Sequence, residues 1–253
     1  ETGVRACDSP EELAADVDAV VVCVSADQDV LDLVDRIQPS LRPGAIVIDC
    51  STVSAETARA AAEQLAGSGV AFLDCPVSGG VEGARKGTLA IMCGGDAGAF
   101  ERARPVLEAM GRTVVHLGPS GSGQAAKATN QIMCAGIIQA VGEAMAFARA
   151  EGLPLDRVIE TLGQGAGSSW YFVHRAPFMA RGEFPAGFRV RLHEKDLRIC
   201  REMASRRGAR LPVVETTLMH YRSLIEAGHG DEDISTIFRL KAALFDDADE
   251  PRD

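Results

Sequence analysis

Asp18-Ala-Val-Val-Val-Cys-Val24 is the stretch of the sequence that decides the fold, because it is a short apolar run of strand length. Similar runs follow it at Ala45–Asp49, Val70–Asp74, Leu89–Cys93 and Thr113–Leu117. Short continuous apolar strands that are separated by helices are typical of a sheet that is mostly parallel and buried on both faces.

Helical segments stand between these runs. Ser9-Pro10-Glu11-Glu12 reads as a capping box with proline at the first helical position, and it predicts a short helix. Ser54 is placed to cap a helix that runs to about Ala66. Residues 27–38 and 97–110 are predicted to form two more helices. The first part of the chain is therefore predicted to be an α/β domain.

The pattern changes from Gly121 onward, where strand signals nearly vanish. Residues 123–150 carry apolar side chains at helical spacing and predict one long helix. Further helices are predicted at Asp156–Leu162, His193–Arg207, Pro212–Glu226 and Ser235–Leu244. We predict an α/β domain over residues 1–120 and an all-helical domain, built on the long interdomain helix, over residues 121–253.

The chain opens at the start of what reads as a mid-sheet strand. No G-x-G-x-x-G follows any strand, although a doubly wound dinucleotide-binding domain normally begins with one. A βαβ unit of roughly 30 or more residues would fit in front. We therefore expect the α/β domain to be N-terminally incomplete in this sequence, either because the chain is a fragment or because the segment is missing from the sequence for another reason.

Composition restricts the partners. The formal net charge of −10 argues against a nucleic-acid surface, which usually carries basic patches. No apolar run approaches the roughly 18–20 residues of a membrane helix, so we expect no membrane partner. The seven cysteines are scattered and never form C-x-x-C, which suits a reducing cytoplasm better than a disulfide framework or a zinc site. No metal is expected, since no cluster of His, Cys and Asp has ligand spacing.

The loop after the third apolar run is rich in glycine: Asp74-Cys-Pro-Val-Ser78-Gly79-Gly80. Paired glycines let successive backbone N–H groups point at one spot, which makes an anion nest suited to a carboxylate. The Ser78 hydroxyl adds a further donor. A plain glycine-rich turn between strands explains the same residues equally well.

A second polar group lies near the start of the long helix, in Gly121-Ser-Gly-Gln-Ala-Ala-Lys127-Ala-Thr-Asn130-Gln131. Lys127, Asn130 and Gln131 share one helix face that continues in apolar residues. A lysine in apolar surroundings has its pKa lowered by desolvation, as a general acid/base requires. A lysine that snorkels to solvent from a half-buried helix is the alternative.

A third segment, His193-Glu-Lys195-Asp196-Leu197, reads as the start of a helix in the second domain. From the residues alone, a solvent-exposed helix start with an acidic residue in its first turn explains it best.

The order and spacing of these segments resemble the β-hydroxyacid dehydrogenase family. The resemblance is carried by Asp49-Cys-Ser51-Thr52, by D-C-P-V-S-G-G-x-x-G-A-x-x-G-T-L, by G-x-G-x-x-x-K-x-x-N and by K-D-L. This family includes 3-hydroxyisobutyrate dehydrogenase and tartronate semialdehyde reductase, with 6-phosphogluconate dehydrogenase as a more distant relative. It implies a Rossmann-type domain followed by a helical one, NAD or NADP as cofactor, and a homodimer or homotetramer.

The resemblance also implies roles for single residues. Lys127 would be the general acid/base. The substrate carboxylate would be held by Ser78, Gly79 and Gly80, and the substrate oriented by Asn130 and Gln131. The cofactor would be contacted by Val24, Ser25, Thr52 and Lys195. Gln131 stands where many family members have asparagine, and K-x-x-N-Q looks more like the tartronate semialdehyde reductase branch.

The expected function is therefore hydride transfer between a nicotinamide cofactor and a small 3-hydroxy acid. The choice between NAD and NADP is left open, because the residue that selects between them follows a strand that the sequence lacks. Two alternatives remain: an imine-reductase-like enzyme, although such enzymes typically replace the lysine, and a non-catalytic relative that binds a ligand or assembles.

Overall fold

A computed structural model describes residues 3–246 of the chain. It divides into two compact units that meet between Thr129 and Asn130, inside the long helix Ser122–Ala150. The boundary predicted from the sequence lies between residues 120 and 121. The difference arises because the first turns of this helix are hydrogen-bonded to the first unit, through Gly121, Gln124 and Lys127.

The first unit alternates strands and helices, as the apolar runs predicted. Its strands are β1 (Ala19–Val22), β2 (Ile46–Asp49), β3 (Ala71–Asp74), β4 (Val77–Ser78), β5 (Leu89–Gly94) and β6 (Gly111–Gly118). Its helices are α1 (Pro10–Ala15), α2 (Asp27–Ile37), α3 (Ala55–Ala66), α4 (Gly80–Lys86) and α5 (Ala97–Met110), with a 3-10 turn at Gln38–Ser40.

The six strands form one mixed sheet. β1, β2 and β3 are parallel neighbours, and β5 and β6 are parallel to each other. β5 runs antiparallel to β3 and β4, because the chain reverses through β4 and α4 before it enters β5. The α/β Rossmann-type class is confirmed, with this reversal as a detail that the apolar runs did not reveal.

The central strands β2 and β3 are buried along almost their whole length because both faces of the sheet are covered there, and each is apolar up to its last residue, an aspartate. Val47 packs in a core with residues of α2 and α3, whereas Ile46 and Ile48 pack with residues of α5 on the other face. Successive side chains of a strand point to opposite faces, so β2 contributes to both cores. β2 therefore reads as a continuous hydrophobic run up to its final aspartate, whereas the outer parallel strands β1 and β6 have exposed side chains, such as Val21 and Val115.

Local capping sets the helix starts that the sequence predicted. The Ser54 hydroxyl accepts a hydrogen bond from Thr57 N at 3.1 Å and caps α3. The Ser9 hydroxyl caps α1 by accepting from Glu12 N. The capping box is only half formed, because the Glu12 carboxylate accepts from Asp8 N instead of turning back to Ser9 N.

The second unit is helical over its described residues. The long helix is α6 (Ser122–Ala150), followed by α7 (Leu155–Leu162), α8 (Trp170–Arg181), α9 (Val190–Ser205), α10 (Pro212–Glu226) and α11 (Phe238–Asp246), with a 3-10 turn at Ile234–Ile237. Helix α8, which has Pro177 inside it, was not predicted from the sequence. Both of its capping residues can be recognised in the sequence: the Ser169 hydroxyl accepts from Phe172 N, and Gly182 ends the helix at a φ of 70°.

Helix α9 corrects a second expectation. It begins at Val190, so Lys195 lies in its second turn and does not open it. The N–H groups of Val190 and Arg191 donate to the main-chain oxygens of Glu232 and Gly230. The first turn is thus satisfied by a distant loop, and the local sequence carries no capping residue to reveal it.

Helix α6 also corrects the expectation that no segment reaches membrane-spanning length. It has 29 residues, and a mean hydropathy of 1.4 over an 18-residue window makes it long and apolar enough to cross a membrane. A search for uninterrupted apolar runs overlooks it because polar residues are scattered along it. Half of that window is buried inside the protein, as in the core helix of a soluble protein, so α6 is weak evidence for a membrane partner.

The cysteines differ in accessibility. All of them lie within the described residues; Cys75, Cys93, Cys134 and Cys200 are buried, Cys7 and Cys50 are half-buried, and Cys23 is exposed. The buried ones pack as small apolar side chains in the two units.

Candidate functional site

The start of α6 is anchored on the end of β3. The Asp74 carboxylate accepts from Gly121 N at 2.8 Å and from Gln124 N at 2.9 Å, and it satisfies two of the amides that a helix start leaves without partners. The side chain is fully buried. Burial raises the pKa of Asp74, while the amide hydrogen bonds work against that rise.

Two glycines allow this close approach. A Cβ on Gly94 would lie 2.6 Å from Asp74 Oδ1. A Cβ on Gly123 would collide with the main-chain oxygens of Asp74 and Met92. The helix start therefore lies directly against the strand ends, and Lys127 follows one turn later.

Lys127 is buried, with 8% of its surface exposed. Its Nζ donates to the main-chain oxygen of Val77 at 2.9 Å. Val77 immediately precedes Ser78, so the lysine amine is held beside the start of the glycine-rich loop. The structure thus brings Lys127 and the predicted carboxylate nest together within the first unit.

The glycine-rich loop is more structured than a simple turn. Ser78 ends β4 and is half-buried, whereas Gly79 and Gly80 are exposed at the start of α4. Gly79 has a φ of 133° and Gly80 a φ of 63°, conformations that side-chain-bearing residues rarely adopt. Both glycines are exposed and follow Ser78 directly in the chain.

The loops after β1 and β2 carry the predicted cofactor contacts. Val24 and Thr52 are half-buried and Ser25 is exposed. The Ser51 hydroxyl accepts from Val24 N at 2.9 Å. The carboxyl ends of parallel strands share one edge of a sheet, and ligands of open α/β sheets bind at that edge.

Gln124 fixes the second of these loops, and the sequence analysis assigned it no role. Its Nε2 donates to Ser51 O at 2.8 Å, and its Oε1 accepts from Val53 N at 3.2 Å. The glutamine stands three residues before Lys127, inside a segment that the sequence analysis had already singled out. Its partners lie more than seventy residues away in the chain, so local sequence gave no signal of its role.

A buried carboxyl lies beneath the same loop. Asp49 ends β2 opposite Asp74 in the parallel register, and its Oδ1 accepts from Ser51 N at 3.0 Å. Its Oδ2 has no hydrogen-bond partner among the residues that the structure describes. Burial raises the pKa of Asp49 to about 6; the bonds from Ser51 oppose this shift and the nearby Asp74 adds to it.

In the second unit, the predicted residues meet around Asp196. Gln131 Nε2 donates to Asp196 Oδ2 at 2.7 Å, and Lys195 Nζ lies 3.3 Å from Asp196 Oδ1. Asn130 Nδ2 donates to Gln131 Oε1 at 2.8 Å. Asp196 was read from sequence as an exposed helix start, but it is buried and joins the three predicted residues.

His193 contacts the backbone of Gln131, one of the residues that meet around Asp196. Its Nε2 lies 3.2 Å from the main-chain oxygen of Gln131, which can only accept, so Nε2 carries the proton. Its Nδ1 lies 2.9 Å from the Tyr221 hydroxyl, which donates to it when the ring is neutral. Burial raises the pKa of Tyr221 well above its usual range, so this phenol keeps its proton.

Comparisons with known proteins identify relatives along nearly the whole chain. A family model described as the NAD binding domain of 6-phosphogluconate dehydrogenase matches residues 1–118. A second model, described as NAD-binding of NADP-dependent 3-hydroxyisobutyrate dehydrogenase, matches residues 121–241.

Two relatives from Pseudomonas aeruginosa are each 35% identical to the chain. An NAD-dependent L-serine dehydrogenase aligns over 94% of this chain and 83% of its own length. A 3-hydroxyisobutyrate dehydrogenase aligns over 95% and 85%. The solved structure of Mycobacterium tuberculosis 3-hydroxyisobutyrate dehydrogenase with L-serine is 32% identical, covers 92% of this chain and 82% of that one, and superposes with a TM-score of 0.85.

Proposed function

Because the chain belongs to the β-hydroxyacid dehydrogenase family of NAD(P)-dependent oxidoreductases, we propose that it interconverts a small 3-hydroxy acid and the corresponding 3-oxo acid or semialdehyde, with Lys127 as general acid/base. The observation that carries the proposal is the buried amine of Lys127, held by Val77 O beside the Ser78–Gly80 loop. A buried lysine beside an exposed serine- and glycine-containing loop suits proton transfer to and from a bound hydroxy acid.

The residues present fit a nicotinamide cofactor. The loops that contain Val24 and Thr52 follow neighbouring parallel strands and reach the carboxyl edge of the sheet, where dinucleotides bind in open α/β folds. When bound, NAD or NADP accepts a hydride from the substrate carbinol carbon or returns it. We assign Val24, Ser25 and Thr52 to this cofactor, with Lys195 as a further contact from the second unit.

Lys127 supplies the proton path. In oxidation its neutral amine takes the hydroxyl proton of the substrate, and in reduction its ammonium gives the proton back. The hydrogen bond to Val77 O occupies one N–H and so fixes the direction of the remaining positions on the nitrogen. This positioning is what a general acid/base needs in order to act on one defined oxygen.

Ser78, Gly79 and Gly80 hold the substrate carboxylate in this proposal. The hydroxyl and backbone N–H groups of these residues are donors, and consecutive glycines with positive φ on an exposed loop suit the formation of an anion nest. Asn130 and Gln131 orient the rest of the substrate. Two relatives are named for L-serine and 3-hydroxyisobutyrate, carboxylates whose hydroxyl group is on the β-carbon, so we propose a substrate of this type.

The test is turnover by the full-length protein: oxidation of L-serine and 3-hydroxyisobutyrate with NAD⁺ and with NADP⁺, and reduction of tartronate semialdehyde with NADH and with NADPH. Lys127→Ala should lower kcat by at least about 100-fold, the usual contribution of a positioned acid/base. Lys86→Ala is the control, because this lysine of the same unit is exposed and pairs with Glu82 on the surface. Normal turnover by Lys127→Ala would refute the assignment.

Assembly and location stay predictions. We propose a homodimer or homotetramer, supported by exposed apolar side chains on α6 such as Met133 and Phe147. Light scattering coupled to size-exclusion chromatography measures the mass directly, and a monomer at micromolar concentration would contradict the proposal. Cytoplasmic location rests on the cysteine pattern of the sequence.

A further inference from the structure

We propose that Gln124 is a positioning residue that ties the two cofactor loops to the turn of α6 that carries Lys127. This inference rests on the proposed function, because it takes Val24 and Thr52 as cofactor contacts and Lys127 as the acid/base. The structure adds hydrogen bonds that connect the two loops to Gln124, which is joined to Lys127 by one turn of α6, and all of these residues lie within the first unit.

The side-chain amide of Gln124 spans Thr52. Nε2 donates to the main-chain oxygen of Ser51, and Oε1 accepts from the main-chain nitrogen of Val53. Only 1% of the glutamine surface is exposed. Because its donor and its acceptor are both used, an apolar side chain of the same size would leave two backbone groups unpaired in the interior.

The path continues from Ser51 to the first loop. The Ser51 hydroxyl accepts from Val24 N, and Ser51 N donates to Asp49 Oδ1. Ser51 therefore fixes the loop after β1 to the loop after β2. Whatever holds Ser51 in place also holds Val24.

The other end of the path is the helix itself. The Gln124 main-chain nitrogen donates to Asp74 Oδ2, so the residue that grips the loop is itself anchored on β3. Lys127 comes three residues later, one turn along the same helix. Gln124 thus links the loop that contains Thr52 to the helix turn that carries Lys127.

The experiment compares two glutamine-to-methionine variants of the full-length protein. Gln124→Met keeps the approximate size of the side chain and removes both loop contacts. Gln38→Met is the matched control: Gln38 Nε2 donates to Gln64 O at 3.1 Å and to Ser68 Oγ at 2.8 Å, at the opposite end of α3 from the Thr52 loop.

Three readouts separate a positioning role from a structural one. Titration by intrinsic cofactor fluorescence, with NADH and with NADPH, should show the dissociation constant of Gln124→Met raised by about tenfold or more. The KM for the cofactor should rise in parallel, while kcat changes by less than about threefold because Lys127 keeps its anchor. Hydrogen exchange of the Val53 amide should accelerate in the cofactor-free protein.

Gln38→Met should lower only the melting temperature. An unchanged cofactor dissociation constant in Gln124→Met, or unchanged exchange at Val53, would overturn the proposal. Full turnover by Lys127→Ala would refute the proposed function, and that result is measured in a separate experiment. The fluorescence titration does not depend on turnover, so it judges the Gln124 linkage in either case.

Discussion

Replacing Gly123 by alanine should destabilise the protein and slow its reaction. The added Cβ would meet the main-chain oxygens of Asp74 and Met92 and would stand 3.0 Å from Asp74 Oδ2. Main-chain oxygens cannot swing aside as the end of a flexible side chain can. Either the helix start or the strand ends must move.

The magnitude follows from two opposing contributions. Overpacking a tight site costs about 1–3 kcal/mol, and alanine regains up to about 1 kcal/mol of helix propensity over glycine. Because both obstacles at Gly123 are backbone atoms, the cost lies at the upper end, and we expect a net loss of about 2 kcal/mol. For a protein of this size, that loss lowers Tm by roughly 4–8 °C.

The same displacement should also lower the rate of the reaction. Lys127 lies one turn beyond Gly123 on α6, and a 1 Å misplacement of a reacting group can cost on the order of 100-fold in rate. We expect kcat to fall by about tenfold or more, measured by the absorbance of the reduced nicotinamide. The variant should lose stability and turnover together.

Gly136→Ala is the control in the same helix. A Cβ there would lie 3.6 Å from Val213 Cγ1, an ordinary van der Waals contact. Alanine should therefore stabilise the helix by up to about 1 kcal/mol and leave turnover unchanged. If Gly123→Ala matched the wild type in Tm and kcat, or if both variants behaved alike, the close-approach argument would be wrong.

Two further predictions concern buried charges. Asp49 has its pKa raised to about 6 in the folded protein, so its contribution to stability is present below its unfolded pKa and is lost as the pH rises through 6. The unfolding free energy of Asp49→Asn, compared with that of the wild type, should therefore increase by up to roughly 3 kcal/mol as the pH rises from 4 to 8. Urea unfolding at the two pH values measures this change, and an equal difference at both would contradict the prediction. Lys241 is buried and paired with Glu143 at 2.6 Å. Glu143→Gln should lower the unfolding free energy by about 1–2 kcal/mol, because it leaves the buried ammonium of Lys241 without its counter-charge. Lys241→Met removes the ammonium itself and should lower the unfolding free energy by less. A larger loss in Lys241→Met would contradict this prediction.

The elements that the sequence predicted well are those whose signals are local. Apolar runs located β1, β2, β3, β5 and β6 to within two residues, as at Ala45–Asp49 against β2, because a strand covered on both faces carries mostly apolar side chains; the two-residue strand β4 was not predicted. Ser54 located the start of α3, because its hydroxyl caps the helix three residues away. Lys127 was predicted to stand on an apolar helix face, and it is buried.

The features that the sequence analysis missed depend on partners far along the chain. The backbone N–H groups in the first turn of α9 donate to the loop around Gly230, so the sequence has no capping residue that would mark the start of this helix. Asp196 looked like a surface charge because its partner Gln131 lies sixty-five residues earlier. The antiparallel course of β5 depends on how α4 turns the chain, which the glycines at 79 and 80 permit but do not dictate.

The difference in accessibility among the cysteines allows the loop that contains Val24 to be labelled selectively. Cys23, the exposed one, directly precedes Val24, whereas Cys75, Cys93, Cys134 and Cys200 are shielded by the interior. A thiol-reactive fluorophore in the native protein should therefore attach there first, without any engineered residue. Its emission would follow the movement of this loop in real time, and so would show when a dinucleotide arrives and leaves.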